Sequence, residues 1–428
     1  MICLGVIGVY LVKQFSIPEI NTIEEAIEYS NKKDIKLNYE YILGDTEELI
    51  DINVDKEQIL IKKYKLIENE EEALSYAKDH NYEVEYNYTY STNSEYLKYE
   101  KLDNKIVIYK NKELTSDLLK QYKVDELGKV PIMMYHNIFN KKSPYGNGNV
   151  DKNGYNRTSE AFKKDLEFYY SKGYRFIRLE DYVNGIIDVE LGYSPIILTF
   201  DDGNDNNCLV TGKDDNGNLI IDPNSAVGIM EEFKKNHPDS NITATFFVNQ
   251  GLFNQKEYNN EIMNKVIELG YDIGNHTKNH VDFSTINQTK TIEEVGGMYQ
   301  ILEEVIPGKY VNIIALPFGS PYKKNHSNYP YILGNTYNGK EYKNIAALRV
   351  GWEPELSPFN KDFDPTFLKR CRAFDTSGVE GDDSFTIDLT FKRLESTKYI
   401  SDGVKDIISI PESKKNSIST KYTNLLTY

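Results

Sequence analysis

A run of apolar and β-branched residues, Ile196 to Phe200, ends in two adjacent carboxylates and a glycine: Asp201, Asp202 and Gly203. Neighbouring anions at the end of a buried strand repel each other and lose hydration, so the arrangement costs free energy unless a cation or a proton compensates it. A second strand-like run, YDIGNH, ends in His276, and His280 follows four residues later. Imidazoles at i and i+4 share one face of a helical turn and can reach a single ion. The chain holds only six histidines, which makes this pair informative. Two histidine nitrogens and one carboxylate form a common three-ligand set for a catalytic divalent metal with an open position.

The elements that must position these groups alternate from Val130 onward. A strand (VPIMMYHNI) precedes a helix (SEAFKKDLEFYYSKG), a strand (RFIRL) and the strand ending at Asp201. Then come the helix AVGIMEEFKKNH, the strand NITATFFV, the helix NEIMNKVIELG, the strand YDIGNH, the helix TIEEVGGMYQILEEVI and the strand NIIALPF. Such alternation predicts a parallel sheet, open or closed into a barrel, with its chemistry at the C-terminal strand ends. Both the aspartate pair and His276 stand at such ends.

The motifs TFDDG, HTKNH and LPFG (Leu316 to Gly319), in that order, resemble those of the polysaccharide deacetylases of carbohydrate esterase family 4, as do PIMMYH and ATFFV. The resemblance spans roughly residues 128 to 400 and implies an α/β fold, a distorted (β/α) barrel of the polysaccharide deacetylase type. It implies Asp201 as general base, and Asp202, His276 and His280 as ligands of a divalent metal, most often zinc. Pro317, Phe318 and Gly319 would line the substrate groove, with Trp352 as a groove tryptophan. His136 is expected beside the site as a structural group rather than a ligand, and Tyr135 as packing. The implied reaction is metal-assisted hydrolysis of an acetamide, with Asp201 taking a proton from the attacking water.

Three departures from the family pattern stand out. Ala315 occupies the position from which an arginine normally orients the base, leaving Arg349, Arg370 or Arg372 as replacements. The late histidine that protonates the departing amine is missing, His326 being the only histidine after His280, and no aspartate precedes Trp352 in the usual place. The alternative to an enzyme is therefore a carbohydrate-binding envelope protein that keeps the metal but lacks the acid. Two loops complete the region. DGNDNNCLVTGKDDNGNLIIDPNS reads as a solvated hairpin rather than a calcium loop, and Tyr322 to Tyr342 is expected to rim the groove.

Ahead of the barrel, residues 24–63 align with 71–110 at an offset of 47 with ten identities, among them Tyr39/Tyr86 and Tyr41/Tyr88. Each copy reads as a helix followed by strands. The expected organisation is a signal peptide or membrane-anchor remnant over 1–14, a small α+β tandem-repeat region over 20–112, a linker over 113–129, the catalytic domain over 130–412 and a tail over 413–428. A formal charge of -16 over 428 residues argues against a nucleic-acid groove or a polybasic membrane patch. Three cysteines are too few for a disulfide framework. The apolar start, ICLGVIGVYLV, favours export. The sequence therefore leads to an extracellular or cell-surface enzyme acting on an N-acetylated polysaccharide, with the membrane reached only through its N-terminus.

Overall fold

The computed structural model describes residues 19–44, 47–92, 95–140, 155–374 and 385–428, so the apolar start lies outside the described residues. Among the described residues no helix is long and apolar enough to cross a membrane. The chain divides into two units, Met1–Glu113 and Leu114–Tyr428.

The first unit is built twice from one plan. Helix α1 (Ile23–Lys33) precedes β1 (Lys36–Gly44), β2 (Leu49–Val54) and β3 (Gln58–Leu66); α2 (Glu70–His80) precedes β4 (Glu83–Ser91), β5 (Tyr96–Leu102) and β6 (Lys105–Glu113). Every boundary of the second copy lies 47 residues after its counterpart except the end of β5, which lies 48 after that of β2. Both helices are capped by a side chain at the N-terminus, Thr22 and Asn69, and both end on a left-handed residue, Asp34 and Asn81. In each sheet the last strand is central, parallel to the first and antiparallel to the second. The helix covers the apolar part of that strand, Ile59 and Ile61 or Ile106 and Ile108. Tyr39, Tyr41, Tyr86 and Tyr88 remain exposed, stacked in two pairs with ring centroids 5.9 and 5.6 Å apart.

The second unit opens with α3 (Ser116–Tyr122), β7 (Ile132–Tyr135), β8 (Asn137–Phe139), β9 (Asn156–Thr158), α4 (Ser159–Ser171), β10 (Tyr174–Phe176), α5 (Leu179–Val183) and β11 (Ser194–Phe200). There follow β12 (Val210–Lys213), β13 (Leu219–Ile221), α6 (Ala226–Asn236), β14 (Thr245–Val248), α7 (Asn259–Glu268), β15 (Asp272–Asn275), α8 (Gln288–Val305) and β16 (Ile313–Ala315). The remainder is α9 (Tyr329–Leu333), β17 (Gly334–Tyr337), β18 (Lys340–Lys343), β19 (Ala346–Leu348), β20 (Cys371–Arg372), α10 (Ile387–Leu394), β21 (Ile408–Ile410) and β22 (Leu425–Thr427).

The main sheet runs β19-β16-β15-β14-β11-β7-β20, all parallel, with β10 paired to the start of β11. Its ends meet through one short segment, because Leu368 bridges Leu348 of β19 while Cys371 and Arg372 pair with β7. This closes a distorted (β/α) barrel. Strand residues alternate between two cores. Ile196, Leu198, Phe200, Phe246 and Ile314 join the cluster shared with α4, α6, α7 and α8. Ile197, Phe247, Ile313, Ala315, Leu348 and Leu368 join the inner one. A fully buried side chain of this kind contributes roughly 1.5–3 kcal/mol, so two-sided burial fixes the register of β11. By the same parity Thr199 and Asp201 face inward from β11, as do Arg370 and Arg372 from the closing segment.

Three segments differ from the sequence reading. Residues 124–129 of the expected linker are built into the second unit, with Val124 fully buried and Glu126 nearly so. The expected tail supplies β22, paired in parallel with β21. The stretch from Tyr322 to Tyr342 does not simply rim the groove. It contains α9 and the β17–β18 hairpin, and Gly296 of α8 is packed so closely on Tyr337 that an added Cβ would lie 2.3 Å from the tyrosine's own. The Asn- and Asp-rich insertion after Gly203 forms the expected hairpin, β12–β13.

Candidate active site

Asp201 is the first residue beyond β11, and its N–H donates to Tyr135 O at 2.9 Å, the last rung of the pairing with β7. The chain then turns sharply. Asp202 and Gly203 have φ of 77° and 60°, and a Cβ on Gly203 would lie 2.0 Å from Leu252 O, so only glycine fits there. Asn249 and Asn254 donate to the carbonyls of Asp202 and Gly203 and hold the turn. As a result the two neighbouring carboxylates point to different places.

Asp202 meets the two histidines. His276 Nε2 and His280 Nε2 each lie 3.2 Å from Asp202 Oδ1, and all three ligand atoms fall within 4.8 Å of one another. His276 Nδ1 donates to Ala315 O at 2.9 Å, which leaves Nε2 with its lone pair toward the aspartate. The loop between the histidines is clamped by buried Glu294. Its carboxylate accepts from Asn279 N at 2.7 Å and Asn279 Nδ2 at 2.8 Å, and its carbonyl accepts from Lys278 N. Burial raises the Asp202 carboxyl, but the adjoining His276 and His280 outweigh it and hold the group far below the usual range. Burial disfavours a charged His276, yet Asp201 and Asp202 together draw its pKa upward. Such a pocket attracts a cation, and a His-His-Asp donor set with fixed tautomer suits a divalent metal such as zinc.

Asp201 lies inside the barrel, where it is 2% exposed. Arg370, fully buried, grips it with two bonds, Nη1 to Oδ1 at 2.7 Å and Nη2 to Oδ2 at 2.6 Å. The guanidinium is itself oriented by Thr199 Oγ1 and Arg349 O. Burial pushes the Asp201 carboxyl up, and Arg370, then His276, more than reverse this, so it stays below the ordinary range. Of the three arginines considered as replacements for the one missing at Ala315, it is Arg370 that reaches the base. Arg349 lies over the Phe367 ring and Arg372 over Trp352.

His136 follows β7 and places Nε2 3.9 Å from Asp201 Oδ2. Its Nδ1 is buried without a partner, and burial lowers its pKa against the opposing pull of Asp201 and Asp202. It is no member of the three-ligand set, as expected, but it adjoins the base carboxylate. The sequence reading placed it beside the site without naming this neighbour. The signal available was the MMYH strand end, since β7 pairs directly with β11. Tyr135 is buried and bonds Asp165 and Tyr169, a packing role.

The LPFG segment forms a short 3-10 turn beside the histidines. Pro317 and Gly319 are buried, while Phe318 is 54% exposed with its ring edge-on to His280 at 4.8 Å. Trp352, partly exposed beyond β19, contacts Phe374 and Phe385. His326 takes part in a local turn, accepting at Nδ1 from Asn328 N.

Residues 189–336 match the polysaccharide deacetylase family model. No curated protein matches the chain by sequence. Among solved structures, the Streptococcus pyogenes deacetylase PplD in complex with acetate is 18% identical, with a TM-score of 0.41, over 56% of this chain and 91% of that one. A de-N-acetylase from Aggregatibacter actinomycetemcomitans is 11% identical, with a TM-score of 0.39, over 62% of this chain and 99% of that one. The matched segment, residues 189–336, is thus similar to the polysaccharide deacetylase family and contains the TFDDG and HTKNH strand ends that come together at the site.

Proposed function

We propose that the second unit is a metal-dependent hydrolase that removes N-acetyl, or related acyl, groups from a cell-envelope polysaccharide such as peptidoglycan, and that the protein is exported or held at the cell surface. The observation that carries this reading is the separation of the two adjacent aspartates into different roles. Asp202 joins His276 and His280 as a ligand set, while Asp201 is held by Arg370 as a buried, ionised base.

A divalent metal on Asp202, His276 and His280 would polarise the acyl carbonyl and lower the pKa of water. The chain's own residues do the rest. Asp201 takes one proton from the water as its oxygen bonds to the acyl carbon. His136, neutral at rest, receives that proton from Asp201 and passes it to the departing nitrogen as the carbon–nitrogen bond breaks. The products are the carboxylic acid and the free amine. Phe318 and Trp352 offer apolar faces to sugar rings on either side. The non-catalytic alternative rests on a missing acid, and His136 beside the base supports the catalytic reading over it.

Acetate release from N-acetylglucosamine oligomers, with and without chelator, tests the proposal. We expect metal-dependent release, and a His136→Gln variant slower in kcat by roughly 10²–10⁴ with bound metal unchanged. Metal-loaded protein that releases nothing from any N-acetylated envelope glycan would overturn it.

A further inference from the structure

One cationic side chain at the mouth of the barrel has no part in the scheme above. Arg372 stands two residues beyond Arg370 on the same inward face of the closing strand, one step nearer the strand's C-terminal end, and is paired in register with Met134 of β7. Its guanidinium carbon lies 3.9 Å from the Trp352 ring centre and 5.2 Å from that of Tyr155. Tyr155 in turn meets the His136 imidazole edge-to-face, with centroids 4.7 Å apart and planes at 88°. A chain of contacts thus runs from Trp352 through Arg372 and Tyr155 to His136, and from there to Asp201 at 3.9 Å.

A planar guanidinium prefers aromatic faces and carries its charge through the stack, so it can fix the orientation of two rings at once where an ammonium could not. Among the described residues the indole also meets Phe385 at 5.3 Å and Phe374 at 6.1 Å between centroids. Arg372, at 3.9 Å, is nearer the indole than either ring.

We propose that Arg372 is a positioning residue of the glycan groove, which sets Trp352 as a wall for a sugar ring and ties that wall, through Tyr155, to the His136 side of the base. The proposal rests on the deacetylase reading for its kinetic consequence but not for its geometry.

Trp352 is the only tryptophan, so its emission reports on this stack alone. The first arm compares wild type, Arg372→Ala and Arg372→Lys without glycan, by emission maximum and acrylamide quenching. We expect the alanine variant to be shifted and quenched more readily, with lysine recovering part of the difference. The second arm measures metal-loaded hydrolysis of N-acetylglucosamine oligomers. We expect Arg372→Ala to raise KM about tenfold with kcat held within about threefold, and Arg372→Lys to fall between. Identical emission and quenching in wild type and both variants would overturn the proposal, as would an unchanged KM in an active Arg372→Ala enzyme. If the wild type releases no acetate, the deacetylase reading fails while the first arm still decides the role of Arg372. Should Arg372→Ala not fold, the same comparisons on Arg372→Lys decide it.

Discussion

Replacing Arg370 by methionine strands a carboxylate. Asp201 is 2% exposed and Arg370 is fully buried, and they share two charge-assisted bonds of 2.7 and 2.6 Å. Removing one partner of a buried ion pair costs about 3–5 kcal/mol, a large part of a total stability of about 5–15 kcal/mol. The loss also depends on pH. In the wild type the Asp201 pKa is depressed, so its contribution is present above the unfolded pKa of about 3.9 and fades as pH falls through the folded value. Without Arg370, burial dominates and the folded pKa rises. The folded state then binds more protons than the unfolded one, and stability falls as pH rises from about 4 toward 7.

Urea unfolding of metal-free protein, followed by the emission of Trp352 in the second unit, reads both effects. With a slope of about 3 kcal/mol per molar urea, a loss of about 4 kcal/mol lowers the midpoint by about 1.3 M at neutral pH. The midpoints of variant and wild type should converge toward pH 4. Asp201→Asn combined with Arg370→Met should be more stable than Arg370→Met alone, because no charge is left buried. An Arg370→Met midpoint equal to wild type at neutral pH, or a double variant no better than the single one, would refute the reasoning.

Other outcomes follow from the same structure. Glu294→Gln loosens the loop between His276 and His280 and should weaken metal affinity by about 10–100-fold, measured by competition with a chromophoric chelator; unchanged affinity would exclude Glu294 as the clamp. Asp402, fully buried, is pushed up to about 6 by burial, against hydrogen bonds from Ser409 and Val404. A raised carboxyl pKa makes stability fall as pH rises from about 4 to about 6, by on the order of 3 kcal/mol, and level off above. Asp402→Asn should flatten that window in a thermal-denaturation series, and an unaltered slope would contradict it.

The ligands were legible because strand periodicity alone puts Asp202 and His276 at C-terminal strand ends; His280 joins them not through the helical turn expected from its spacing but through a loop in which Thr277 and His280 take φ of 65° and 52°. The family motifs then separated the roles of the two aspartates. Arg370 could not be told from Arg349 and Arg372, because the choice depends on parity around the barrel. Leu368 faces inward only once the closing segment has bridged β19 and β7. His136 was expected beside the site, but the carboxylate it adjoins was hidden for a related reason. The imidazole lies 3.9 Å from Asp201 through the β7–β11 pairing, which brings together residues far apart in the chain. Ala315 looked like a plain loss, yet its backbone carbonyl orients His276, a contribution that no side-chain motif encodes. The tail failed for want of pattern, since Leu425–Thr427 is too short to show a period and becomes a strand only by pairing with β21.

Divalent-metal stoichiometry and affinity of the purified protein test the account most directly, measured by elemental analysis and zinc titration of wild type and of Asp202→Ala, His276→Ala and His280→Ala. The account predicts one ion per chain, with affinity reduced at least tenfold in each variant. A wild type that takes up no divalent ion, or three variants that bind as tightly as it does, would contradict it.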